Sequence, residues 1–111
     1  MNSEITQVHQ FVQDISSQGG AKNKDLLHYK CVPKVIVMFN SMIAFKNVTE
    51  SDKIVIPSAK IDNASHKISF EFSGNDITDV KHFTDCVKRH CKSSTPVIRE
   101  NSKANSITVK I

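Results

Sequence analysis

His82, Cys86 and His90 recur at four-residue intervals along the stretch NDITDVKHFTDCVKRHC, residues 75–91. Neighbouring pairs in such a row could offer imidazole nitrogen and thiolate to one zinc ion, because side chains at i and i+4 of a helix lie over one another. The row drifts around the helix, however, a fourth ligand would have to come from elsewhere, and neither CxxC nor HExxH accompanies it. The expectation is therefore no metal and no cofactor, with His82 exposed and Cys86 and His90 at the edge of an apolar stripe. Cys86 with His90 as its base also fails as a nucleophile. No glycine-rich oxyanion loop or third orienting partner is legible, and a helix interior is a poor place for a thiol that benefits from a helix N-terminus. Glu50, Asp52, Asp62 and Glu71 form no paired-carboxylate signature, and Gly19-Gly20 is followed by AKNKD rather than a phosphate-loop spacing. The chain is read as no enzyme, with no catalytic residue.

What remains is positive charge. On a helical wheel Lys81, Lys88 and Lys92 fall within about 40° of one another and Arg89 lies roughly 60° beyond. Arg99 and Lys103 follow in the next segment. Between Cys86 and Arg99 there are four Lys or Arg and no acid, whereas residues 1–20 hold two acids and neither Lys nor Arg. A helix followed at once by a hairpin has the order of a recognition helix and wing, in which cations neutralise phosphates. Lys81, Lys88, Arg89, Lys92, Arg99 and Lys103 are accordingly the expected nucleic-acid-contacting set. No aromatic residue is interleaved among them, which argues against single-strand stacking. The alternative is a small protein-interaction module, an adaptor or inhibitor that sets a sheet edge or the basic helix against an acidic protein surface. The terminal strand carrying Ile107, Val109 and Ile111 would also serve a homodimer if it lies at an edge.

Composition sets the frame for these elements. At 111 residues the chain is one domain, residues 1–111, with 39% hydrophobic and 23% charged residues, six Phe, one Tyr and no Trp. A net charge of +4 and a pI near 9.1 favour an anionic partner. Cys31, Cys86 and Cys91 are an odd number without disulfide-scaffold spacing, which suggests a reducing, cytoplasmic setting. The first residues lack a signal-peptide pattern and no run approaches the roughly 20 apolar residues of a membrane span, so no membrane partner is expected.

Ile77, Val80, Phe83, Val87 and Cys91 gather on one stripe, so residues 75–91 form the central helix, capped by Asn75 or Asp76 and stopped before Pro96. A first helix over residues 3–17, with Ser3 as cap, carries Ile5, Val8, Phe11, Val12 and Ile15. Residues 25–32 read as a helical turn or an extended segment closed by Pro33. Residues 34–47 are the hardest to assign. Val35, Met38, Phe39 and Met42 keep helical spacing, yet Val35-Ile36-Val37 is a β-branched run. Two strands, 34–39 and 42–46, are favoured. Residues 53–57 and 67–72 are strands joined through Asp62-Asn63-Ala64-Ser65, with Ile68, Phe70 and Phe72 on one face. Val97–Arg99 and Ile107–Ile111 close the chain as a hairpin.

The expected architecture is α+β: two main helices on one face of a mostly antiparallel sheet, the second followed by a C-terminal β-hairpin. Its core would hold Ile5, Val8, Phe11, Val12, Ile15, Val35, Val37, Phe39, Ile54, Ile56, Ile68, Phe70, Phe72, Val80, Phe83, Val87, Val97, Ile107 and Val109.

Overall fold

The computed structural model describes residues 2–49, 58–92 and 95–111. Along the chain run α1 (Asn2–Ser17), α2 (Asn23–Leu26), α3 (Val32–Thr49), β1 (Ser58–Asp62), β2 (Lys67–Ser73), α4 (Ile77–His90), β3 (Val97–Asn101) and β4 (Ser106–Lys110). The strands form one antiparallel sheet in the order β1-β2-β4-β3. The α+β class is as expected. Among the described residues three long helices and a single-turn one accompany the sheet, where two main helices were expected.

Residues 34–39 and 42–46 are not strands: they lie inside α3. The reason is the spacing of what becomes buried. Cys31, Val35, Met38, Met42 and Phe45 repeat every three or four residues and all are buried, while Ile36 and Ile43 between them remain exposed. Tertiary burial of that stripe outweighs the few tenths of a kcal/mol that a β-branched run costs a helix. Pro33 does not close a segment. It sits in the first turn of α3, where the missing N–H would have had no intrahelical partner. Ser41, fully buried on the same helix, is satisfied by donating from Oγ to the Val37 carbonyl at 2.6 Å.

Helix α4 packs on β2 and β4, α1 approaches β1, and α3 touches both α1 and α4. The core lies between the sheet and these helices. Phe83 of α4 stands edge-on to Phe72 of β2 at 4.4 Å and to Phe45 of α3 at 5.8 Å, joining sheet, middle helix and outer helix in one aromatic run. Of the expected core, Phe11, Val12, Ile15, Val35, Ile68, Phe70, Phe72, Val80, Phe83, Val87, Ile107 and Val109 are buried, and Val8, Val37 and Phe39 are half-buried against them. Val97 is not core: it is 54% exposed, because β3 is an edge strand and Val97 points away from the helices. The side chain of Ile5, the strand expected over 53–57 and its Ile54 and Ile56 lie outside the described residues.

The hairpin partner of β2 is β1, with Ala59 opposite Phe70 and Ile61 opposite Ile68. Asp62 opens the turn between them by accepting the Ala64 amide at 3.0 Å. The Ser65 hydroxyl and that amide together hold the Asp62 carboxyl below the usual range. Strand β4 lies between β2 and β3, so the condition for pairing the terminal strand with a second copy, that it lie at an edge, is not met. Among the described residues the outer strands are β1 and β3. The edge of β1 is partly covered, since Gly20 bridges Ala59 and the Ala21 amide donates to the Ala59 carbonyl at 2.8 Å.

The N-terminus of α4 is capped by Asp76, whose carboxylate accepts the Asp79 amide at 2.9 Å. Ser3, by contrast, lies within α1 rather than before it. Asp76→Ala should lower stability by about 1 kcal/mol, a Tm fall of roughly 4–8 °C in a domain of this size. Thermal unfolding followed by circular dichroism tests this; an unchanged Tm would show that the Asn105 to Asn75 contact holds the helix entry without the cap.

Candidate functional site

The six expected cationic residues do not form one surface. Lys88, Arg89 and Lys92 are exposed together at the C-terminal end of α4. Arg89 is folded back on its own helix, with Nε toward the Asp85 carbonyl and a guanidinium nitrogen toward Cys86 Sγ, each at 3.5 Å. Lys81 pairs with Glu100 of β3 at 3.8 Å. Both side chains are about half exposed, so this pair adds little stability, but it partly neutralises Lys81.

Lys103 sits in the β3–β4 turn, and that turn abuts the opposite end of α4. The Gly74 amide donates to the Asn105 carbonyl at 3.1 Å, and Asn105 Nδ2 donates to the Asn75 carbonyl at 3.3 Å. Lys103 and Lys92 are thus separated by the helix length, about 20 Å at 1.5 Å per residue.

Arg99 faces the other way. Alternation along β3 turns Ile98 toward the core and Glu100 toward Lys81 on α4, so Arg99 between them points to the face of the sheet that no helix covers among the described residues. On that face the register sets Lys60, Ser69, Lys110 and Val97 in one row and Ser58, Glu71, Thr108 and Arg99 in the next, with Lys67 opposite Asp62. Lys67, Ser69, Val97, Arg99, Thr108 and Lys110 line a shallow groove of about 370 Å³. Four cations and two carboxylates therefore stand on this face of the sheet, with no aromatic side chain among its described residues. Lys60, Lys67 and Lys110 escaped the sequence reading because their proximity exists only through strand pairing. The odd spacing of Lys67 and Lys110 from the buried positions of β2 and β4, and of Lys60 from buried Ala59 in β1, was the signal available.

The residues weighed for metal on α4 are separated by their environments. His82 is exposed, Cys86 is buried in the core, and His90 Nδ1 is engaged by the Cys86 carbonyl at 2.8 Å. A different set converges instead: the ligand atoms of His28, Cys31 and His66 all lie within 4.8 Å of one another. His28 and Cys31 occupy the corner between α2 and α3, where the Cys31 amide donates to the His28 carbonyl at 2.8 Å. His66 closes the β1–β2 turn at φ 56°, its amide donating to the Asp62 carbonyl at 2.7 Å. Lys34 Nζ donates to the His66 carbonyl at 2.7 Å and ties this turn to α3. The two imidazoles stack nearly parallel, with ring centres 5.2 Å apart. Burial pushes the Cys31 thiol up, opposed by the Lys34 charge and reinforced by Asp25. His28 and Cys31 are three residues apart, a spacing visible in the chain, but His66 joins them only through the fold.

A further surface is apolar. Val8, Leu27, Val32, Ile36 and Phe39 line a groove of about 510 Å³ between α1, the α2–α3 corner and α3. No helix among the described residues is long and apolar enough to cross a membrane. Compared with known proteins, the chain matches no family model, no curated protein and no solved structure.

Proposed function

We propose that this protein is a non-catalytic binding module that contacts nucleic acid through its phosphate backbone. The observation that carries the reading is the sheet face that no helix covers among the described residues, where Lys60, Lys67, Arg99 and Lys110 stand in adjoining rows with Glu71 and Asp62. A cationic sheet face attracts phosphates through charge and counterion release, and without aromatic side chains it offers no platform for stacked bases. Binding of this kind is indifferent to sequence and steep in salt. Arg99 is the member of the expected set that lies on this surface; Lys88, Arg89 and Lys92 at the end of α4 are a second, separate one.

Fluorescence anisotropy of labelled duplex and single-stranded oligonucleotides, titrated across salt concentrations, tests the proposal. Arg99→Glu with Lys110→Glu should weaken binding at low salt and reduce the slope of log affinity against log salt by about 2, one for each phosphate contact. Lys88→Glu with Arg89→Glu should leave that slope nearly unchanged. The reverse pattern would transfer the interface to α4. Absence of oligonucleotide binding by the unaltered chain even at low salt would remove nucleic acid as the partner.

A second reading, a protein-interaction module, is supported by the apolar groove between α1 and α3, where Leu27 and Ile36 are exposed. Charge reversal on the sheet would not disturb an association made there, and such binding would persist in salt.

A further inference from the structure

We propose that His28, Cys31 and His66 form a zinc-binding site with two imidazoles, one thiolate and a water as the fourth ligand. Three ligand side chains brought from two distant segments to within 4.8 Å of one another make a donor set of the type zinc prefers. Around a tetrahedral zinc with bonds of about 2.0–2.3 Å, neighbouring ligand atoms stand about 3.4–3.6 Å apart. The cluster must therefore contract by roughly 1 Å, a distance that side-chain rotation supplies.

The burial pattern suits that motion. Cys31 is buried and fixed at the start of α3, His66 is half-buried in a turn anchored by Lys34, and His28 is exposed and able to swing inward. His28 Nδ1 presently accepts the Lys30 amide at 3.3 Å, a long, exposed bond that a metal contact would replace. The exposed side of the cluster leaves room for water in the fourth position. Burial favours the neutral thiol, opposed by the Lys34 charge, so binding must displace the thiol proton and the metal's own charge offsets that cost. A bound ion would fasten the α2–α3 corner to the β1–β2 turn, two segments that the sequence separates by more than thirty residues.

Cobalt(II) provides the probe, because a cobalt–thiolate bond produces a near-ultraviolet charge-transfer band that imidazole and carboxylate ligands do not. The reduced, metal-free full chain titrated with cobalt should develop this band to one equivalent and lose it on addition of zinc. His28→Ala and His66→Ala should each weaken binding at least tenfold, since even outer-shell partners of metal ligands contribute about 10- to 100-fold. His28 is exposed, so His28→Ala keeps the fold and circular dichroism verifies it. The control pair His82→Ala with His90→Ala should bind as the unaltered chain does. No thiolate band in the unaltered chain, undiminished affinity in both His28→Ala and His66→Ala, or loss of binding only in the control pair would each overturn the assignment.

Discussion

Phe83→Ala is expected to destabilise the protein by about 3–5 kcal/mol, the range for removing a buried aromatic ring. Phe83 is fully buried and contacts both the Phe72 and Phe45 rings, so its loss opens a cavity where sheet, α4 and α3 meet. Neither neighbour can fill that space alone, because Phe72 is held in the strand register and Phe45 belongs to a different helix. Against a total stability of about 5–15 kcal/mol, a loss of this size removes a large share of the folding free energy. Equilibrium urea unfolding gives the test. Val97→Ala, at a side chain 54% exposed on the outer strand, should shift stability by no more than about 0.5 kcal/mol. A cost for Phe83→Ala below about 1.5 kcal/mol would fall well short of the range for deleting a buried aromatic ring and would mean that α3 is not packed on α4 through this ring.

Gly20→Ala carries the next largest expected effect, and Gly19→Ala isolates its cause. Both glycines have positive φ, 89° at Gly19 and 92° at Gly20, so an alanine at either bears backbone strain of about 1–2 kcal/mol. They differ in what surrounds them. A Cβ on Gly19 meets open space, whereas one on Gly20 would collide with the Ala59 carbonyl oxygen. That oxygen accepts the Ala21 amide and belongs to the β1 edge, so relieving the clash means breaking the bridge that docks the α1–α2 connection onto the sheet. Gly20→Ala should therefore cost at least about twice as much as Gly19→Ala. Equal costs in thermal unfolding would show that the connection moves off β1 freely.

Elements with a single apolar stripe were legible from the chain alone. In α4, Val80, Phe83 and Val87 repeat at helical spacing while Asp76 and the C-terminal cations mark its ends, so period, cap and dipole agree. In β2, Ile68, Phe70 and Phe72 alternate with Lys67, Ser69 and Glu71, and the buried pattern follows. Residues 32–49 resisted because they are apolar nearly all round. Ile36 and Ile43 blur the buried stripe of Val35, Met38, Met42 and Phe45, and the β-branched start favours the wrong period.

The candidate sites divide in the same way. That the chain is basic, and that Lys88, Arg89 and Lys92 cluster, follows from residue type and a local period. Alternation along β3 turned Arg99 away from α4, strand pairing set it opposite Thr108 and diagonal to Lys110, and the β3–β4 turn placed Lys103 at the far end of the helix. The same long-range packing brought His66 to His28 and Cys31 while holding Cys86 in the core, away from exposed His82. A sequence determines what repeats within one turn of helix or one pleat of strand, because those neighbours are bonded nearby. Which distant side chains share a surface depends on how apolar faces bury one another, and that is settled only when the whole core closes.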